Sequence, residues 1–584
     1  MFAISIKRYL KTPVLILLTV LWFVFFIYGL LTNPYGDFIY DGPRNVLEKV
    51  QVSFLFFLFV SYIYQSKSRQ AGLDETVAGV SYGMLKQVSC QLVFLAFFAL
   101  AVSIGTFAFL YWKMSSFQLQ NQGLEVYLLK LVFIHQFLPH IIAVLLGLAI
   151  SGFSSKAAAY CVLVGIYILL SRGNIAVLDA MLMEKSSLVR RIPRLFNLYS
   201  QDYDMMNNAF YIFPVENVNI WRVFAWIGIV LAIVLHRQLP HGKKHFSAVF
   251  AAAGLVSLVL YLLPSSEICL GGMTDDYWLG DSTYYMYTGA DSSRDETADF
   301  KLTFLQADFT VKRLLDAKVT VAVDMQELPR YRFTLYHDYH VKKVENQSGK
   351  KLKFYQDGDY LTVDSHGEKI SELTFYYSGF HPNCYSSPQG IFLPGYLEYY
   401  PMPGFHTVYI QKYGYYGYTM EGFGYDVDCD ITVQTKQNVY SNLPSDKKNH
   451  FQGKCDSFSL YAGIFMKEKE IEGCRILYSP VSQKQREIEK NPGEYKKFIR
   501  WYEEKSGERP RLWCLPPGGN SGYYFGKDQL MGDILTLKDS YERYLMTGDW
   551  YQIFSVEELR EIEKTMGEMQ ENIKQMEEEE NDRD

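Results

Sequence analysis

The spacing of apolar residues changes once along the chain, and the change divides it. Up to Pro264 the apolar residues come in long uncharged runs. A helix needs about 20 such residues to cross a bilayer. Pro13–Leu31, Val88–Trp112 and Leu131–Ile150 reach that length, and Val50–Tyr64, Ala157–Ser171, Val223–Leu235 and Phe246–Leu263 are shorter runs of the same kind. The pattern predicts seven membrane spans. From about Phe300 the period drops to two. "KVTVAVD" alternates strictly, as a half-buried strand does, and "RFTLY" and "ELTFYYSG" follow the same rule. "LKFYQDGDYLTVD" reads as two strands joined through Asp357-Gly358, a hairpin signal, and "YDVDCDITVQT" as a further strand. The expected fold is therefore a multi-span α-helical membrane domain (1–264) and a connector (265–297). A mainly β domain of sandwich or saddle form follows (298–480), then a small α/β extension (481–550) and an acidic C-terminal helix (555–584).

Charge sharpens this division. Of the net charge of −6, the tail Ser555–Asp584 carries −8, so the rest stands at +2. No basic surface points to nucleic acid. In the tail, Ser555 and Glu558 make a capping box. Leu559, Ile562, Met566, Met569, Ile573 and Met576 follow as a short a/d seam. It reads as a helix packed on its own domain, with self-association as the alternative. Lys7, Arg8, Lys11, Lys67, Arg69, Lys86, Lys156, Arg237, Lys243 and Lys244 fall at alternate span ends, so the positive-inside rule puts the N-terminus in the cytoplasm. Seven spans then place everything after Pro264 outside the cell membrane. The long first span lacks a small-residue cleavage site, which argues against a cleaved signal peptide.

Candidate chemistry inside the spans is sparse. His135 and His140 flank Pro139. Five helical residues apart they point about 140° from each other, so they form no single metal site. Pro139 is expected to kink the helix. The histidines read as interfacial, near the outer membrane face, with a substrate or proton role as the alternative. "LVRRIPRLFNLY" mixes basic and apolar residues, as a helix lying among headgroups does.

The polar break between the second and third spans, "SRQAGLDETVAGVSYGMLKQ" (Ser68–Gln87), carries Arg69, Gly72, Glu75 and Lys86. Their spacing resembles the inner loop of ABC-2-type transporter permeases. The resemblance implies a short surface helix that docks into a groove of a separate cytosolic ATP-binding subunit. It also implies a complex of two permease chains, identical or not, and coupling roles for those four residues. No nucleotide site lies on this chain. "GGNSGYYFGKD" has the wrong glycine spacing for a phosphate loop and Asp528 after Lys527. ATP would be bound by the partner, and this chain would carry no cofactor.

The strand order from Thr297 to Glu470 is similar to the N-terminal β-domain of zinc aminopeptidases related to aminopeptidase N. The likeness is carried by "ADFKLTFLQADFTVKRLLDAKVTVAVD", "LPRYRFTLYHDYHVKKV", "LTFYYSG", "YYPMPG", "ITVQTKQNVYSN" and "SLYAGIF". "YKKFIRWYEEKSGERP" and "RLWCLPP" resemble the start of the peptidase domain that follows it. The zinc chemistry does not come with them. The chain has no HExxH, whose two histidines one turn apart hold the metal. "TMEGF" shares only Met420-Glu421 with the family's substrate loop. His337 and His340 are expected on opposite faces of one strand, and His241 and His245 in a basic loop. The eight cysteines contain no CxxC pair. These readings lead to a permease subunit without enzymatic activity of its own. The alternative is a membrane-anchored, inactive or truncated aminopeptidase relative that binds peptide at the cell surface.

Overall fold

The computed structural model describes residues 2–32, 38–80, 82–115, 123–153, 155–171, 174, 191–192, 195–196, 198, 215–239, 244–266, 284–285, 294–381, 384–412, 415–480, 482–515, 523–551 and 558. The first half is helical: α1 Phe2–Leu10, α2 Pro13–Leu31, α3 Phe38–Gln70, α4 Leu73–Ala78, α5 Gly83–Ser115, α6 Leu124–Ile150, α7 Lys156–Leu169, α8 Asn217–Gln238 and α9 His245–Leu262.

Five of these, α2, α5, α6, α8 and α9, are long and apolar enough to cross a membrane, which marks the chain as a membrane protein. In α6, 83% of the most apolar window is buried, against 22% in α2, α5 and α9, so α6 is the centre of the bundle. The outer helices turn apolar side chains away from the protein. Leu17 is 59% exposed, Phe97 60% and Val249 62%. Water would penalise such surfaces, whereas a bilayer does not. Small residues let the helices approach. A Cβ on Gly228 of α8 would lie 2.6 Å from the Gly254 Cα of α9.

Two of the seven expected spans fall on helices outside these five. Val50–Tyr64 lies within the 33-residue α3. Ala157–Ser171 falls on α7, whose 14 residues extend only about 21 Å, short of a hydrocarbon core of about 30 Å. The histidines of α6 face the interior of the bundle. His140 is fully buried and its ring lies 4.6 Å from that of Phe57 on α3; His135 is only 6% exposed. Pro139, which lacks an N–H for the helical ladder, is preceded by a π-turn over Phe133–Phe137.

The second half is mostly β. Its largest sheet runs, edge to edge, Ser445–Lys447, His450–Cys455, Val427–Gln434, Leu302–Val311, Leu315–Val323, Glu372–Gly379 and Tyr339–Asn346. Leu302–Val311 pairs antiparallel with Leu315–Val323 and parallel with Val427–Gln434. Leu315, Ala317, Val319, Val321 and Val323 are buried on alternate positions. Each buried Val or Leu contributes about 1.5–3 kcal/mol, which fixes the register against a one-residue slip. Lys353–Asp357 and Tyr360–Asp364 form the expected hairpin, with Gly358 at φ 58° in its two-residue loop. His337 lies in a turn before the strand Tyr339–Asn346, not on the same strand as His340.

A separate five-stranded sheet follows, in the order Lys467–Ile471, Cys474–Tyr478, Leu512–Cys514, Gln529–Met531 and Tyr524–Phe525. Three of its strands are parallel. Helices α10 Gln483–Lys490 and α11 Pro492–Ser506 cross over between them, and α12 Ile534–Thr547 follows the sheet. The expected boundary at residue 480 therefore moves back. Lys467–Tyr478 pairs with the α/β unit and shares its core of Ile476, Ile499, Trp513 and Leu537. Most of the connector and the expected C-terminal helix, apart from helical Glu558, lie outside the described residues.

Candidate functional site

The bundle has two ends, and the polar chemistry of the chain collects there. At one end the β-unit is fastened. The last turn of α9 leaves carbonyls without helical partners. Arg313, from the turn between Leu302–Val311 and Leu315–Val323, reaches them. Its Nε donates to Pro264 (2.8 Å) and its Nη2 to Leu260 (2.7 Å) and Leu263 (2.6 Å). Arg191 comes from the other side and donates to the carbonyls of Tyr261 (2.6 Å) and Leu263 (2.7 Å). For Arg191 this departs from the expectation for "LVRRIPRLFNLY", most of which lies outside the described residues. Arg191 is 3% exposed and caps a helix rather than facing headgroups, because a guanidinium satisfies several carbonyls at once. Phe465 packs edge-on against Tyr127 of α6 at 5.3 Å, and the Gln389 side chain accepts from the Val215 N–H at 3.2 Å. A cavity of about 190 Å³ lies in this joint, lined by Trp221, Leu260, Ser265, Lys312, Ser387 and Gln389 among others.

The segment Ser68–Gln87 sits at the opposite end. α3 stops at Gln70 because Gly72 takes the left-handed conformation (φ 66°), which glycine adopts without steric cost. One short helix, α4, follows. Tyr82 is again left-handed (φ 59°) before α5 begins. Gly83 makes the return possible. A Cβ there would lie 1.9 Å from the Val77 carbonyl oxygen, so only glycine lets α4 fold back onto α5.

The four residues singled out from the sequence divide between two roles here. Glu75, in the first turn of α4, and Lys86, in the first turn of α5, are exposed. Gly72 is the turn itself. Arg69 is half-buried and donates to the Ser151 carbonyl past the end of α6, so its charge is turned into the bundle rather than presented on the surface. Arg237 of α8 donates beside it to the Ala149 carbonyl, and Arg8 of α1 donates to the Ser68 hydroxyl. Arg237 and Ser151 were not anticipated as partners. The sequence offered only their basic and helix-end positions.

Elsewhere, the turn at His337 is held by Asp359. That carboxylate accepts from the His337 N–H (2.7 Å), the His337 ring (3.1 Å) and the Tyr285 hydroxyl (3.0 Å). On the outer sheet, His450 lies between Asp446 and Asp430, and these carboxylates hold its imidazole above the ordinary value. Among the described residues no group of three or more His, Cys, Asp or Glu is placed to hold a metal ion.

No known protein family matches the chain, and no curated protein does. Solved structures show a partial likeness. Yeast LTA4 hydrolase in complex with bestatin is 12% identical, with a TM-score of 0.30 over 43% of this chain and 44% of that one. An M1 zinc metallopeptidase from Deinococcus radiodurans is 13% identical, with a TM-score of 0.27 over 42% of this chain and 63% of that one. This chain spans less than two thirds of either protein, and a likeness of this size carries no assignment. The class defined so far is a membrane protein: an apolar helical bundle bearing a mostly β unit on one end.

Proposed function

We propose that the chain is the permease subunit of an ABC-2-type transporter, driven by ATP hydrolysis in a separate cytosolic subunit. The observation that carries this reading is α4. A six-residue helix stands between two left-handed turns at the end of the bundle opposite the β-unit, with Glu75 and Lys86 exposed beside it. A soluble motor needs such a handle. The handle is joined directly to α3 and α5, so a push on it is transmitted to two long helices. Two permease chains per complex would flank the motor. On this reading the α4 end faces the cytoplasm, as its lysines and arginines favour. The β-unit then stands outside the plasma membrane.

The test is purification of the full chain from native membranes, with ATP hydrolysis measured in the eluate. An ATPase that co-purifies with the wild type and is lost with Glu75→Arg supports the reading. Unchanged association and unchanged ATP hydrolysis in Glu75→Arg would refute docking through α4.

A further inference from the structure

A polar line runs through the middle of the bundle. On α3, Phe57, Ser61 and Gln65 recur every fourth residue, which puts them on one stripe, and Ser68 continues it three residues on. α6 carries Gln136, His140 and Val144 at the same spacing. The two stripes meet. The Ser61 hydroxyl donates to the Val144 carbonyl (2.8 Å), and the His140 ring lies on Phe57. α5 closes the third side. Gln91 Nε2 donates to the Ser61 carbonyl (3.2 Å), and Thr106 Oγ1 accepts from Gln136 Nε2 (3.0 Å). Gln65 is 1% exposed, Gln91 2%, and Gln136 and His140 0%.

Their hydrogen bonds are incomplete. Both amide atoms of Gln65, the Oε1 atoms of Gln91 and Gln136, and both ring nitrogens of His140 have no partner among the described residues. Buried polar groups are nearly always paired, and lipid tails offer no partner. Leucine would serve packing better at each of these places. We propose that α3, α5 and α6 form the route along which an uncharged, hydrogen-bonding solute, bearing amides or hydroxyls, crosses the bundle. This rests on the permease reading and identifies its path. The solute is uncharged because the line offers amides, hydroxyls and one imidazole. Among the described residues it contains no carboxylate, ammonium or guanidinium between Gln65 and Thr106, and the Arg8 guanidinium meets it only at Ser68, its α4 end. The drive is local. α4 joins α3 to α5 through Gly72 and Tyr82, so displacing α4 moves two walls of the route against the third.

Cysteine accessibility in vesicles of the full chain tests this. Cys90 and Cys161 are replaced by serine. Gln65→Cys, Gln91→Cys, Gln136→Cys and the near-isosteric Ser61→Cys are introduced singly. Phe97→Cys, on the outward face of α5, is the control. Each is reacted with a membrane-impermeant cationic thiosulfonate and with its anionic counterpart, and labelling at each site is read by mass spectrometry. The expected result is labelling at least tenfold faster than at Phe97→Cys for two or more of the four. Cation and anion rates, corrected for their reactivity with a free thiol, should agree within about threefold. Rates equal to the control at all four positions would overturn the route. A tenfold preference for either charge would overturn the uncharged class of solute. No ATPase is needed for labelling. Failure to co-purify one would therefore remove the permease reading and leave this result standing.

Discussion

The two ends of the bundle use the same device to opposite effect. At the β end, Arg191 and Arg313 converge on the last carbonyls of α9, and one of the two belongs to the β-unit. The helix cap is therefore also the joint. The Ser266 N–H adds a bond to the Arg313 carbonyl (2.8 Å), and the Ser386 N–H one to the Ser266 hydroxyl (2.9 Å). At the α4 end, Arg69 and Arg237 converge on the carbonyls at the end of α6, but both arginines belong to the bundle. They close the helix end, and among the described residues α4 is held by its turns and its contacts with α3 and α5. One end is welded to a large folded unit. The other carries a short element on two left-handed hinges. A force applied at α4 is thus expected to rearrange α3 and α5 while the β-unit moves with α9 as one body.

The comparison fails first if α4 is not seated as described. Gly83→Ala places a methyl 1.9 Å from the Val77 carbonyl, and backbone has no room to yield. The expected cost is about 3 kcal/mol, within the range for forced overpacking. It should appear as proteolysis between Gly72 and Gly83 at least tenfold faster, with cleavage in the β-unit unchanged. Equal loss at both ends would mean the ends are not independent. Next in size is the weld. Arg313→Ala removes three bonds from a charged donor and should destabilise the joint by about 2 kcal/mol. Proteolysis after Pro264 should rise while α4 keeps its wild-type protection. Gly72→Ala is milder. The left-handed conformation costs a Cβ about 1 kcal/mol, and nothing lies within 4 Å to clash. A small rise in cleavage at the α4 hinge, without loss of fold, is the expected reading.

The smallest effect is confined to the β-unit. The Asp446 hydrogen bond, then that of Asp430, raises the imidazole of His450 from its ordinary 6.5, and His450 lowers Asp446 from 3.8. The histidine's contribution is whole below pH 6.5 and fades as pH rises through its raised folded value. The carboxylate's contribution is whole above pH 3.8 and fades as pH falls through its lowered one. The thermal midpoint of the β-unit should therefore decline slightly above pH 6.5 in the wild type. His450→Gln should flatten that decline, and thermal scans of the two proteins across pH 5–9 check it. The α4 end should show no matching pH dependence from this pair.

The sequence by itself determined the division at Pro264, the apolar helices and most strand positions. These are set by local periodicity: long uncharged runs have no soluble alternative, and alternation of buried and exposed residues leaves a strand one register. It also placed Gly72, Glu75 and Lys86 on a polar turn between two long helices. Only the tertiary structure decided what the polar residues touch. Arg69 turns inward because the end of α6 presents unpaired carbonyls to it, and Arg191 is buried because the end of α9 does the same. Gln65, Gln91, Gln136 and His140 lie on three helices far apart in sequence, so no local spacing could show that they form one line. Lys467–Tyr478 joined the α/β sheet through parallel pairing with Leu512–Cys514, a non-local contact that strand periodicity does not encode.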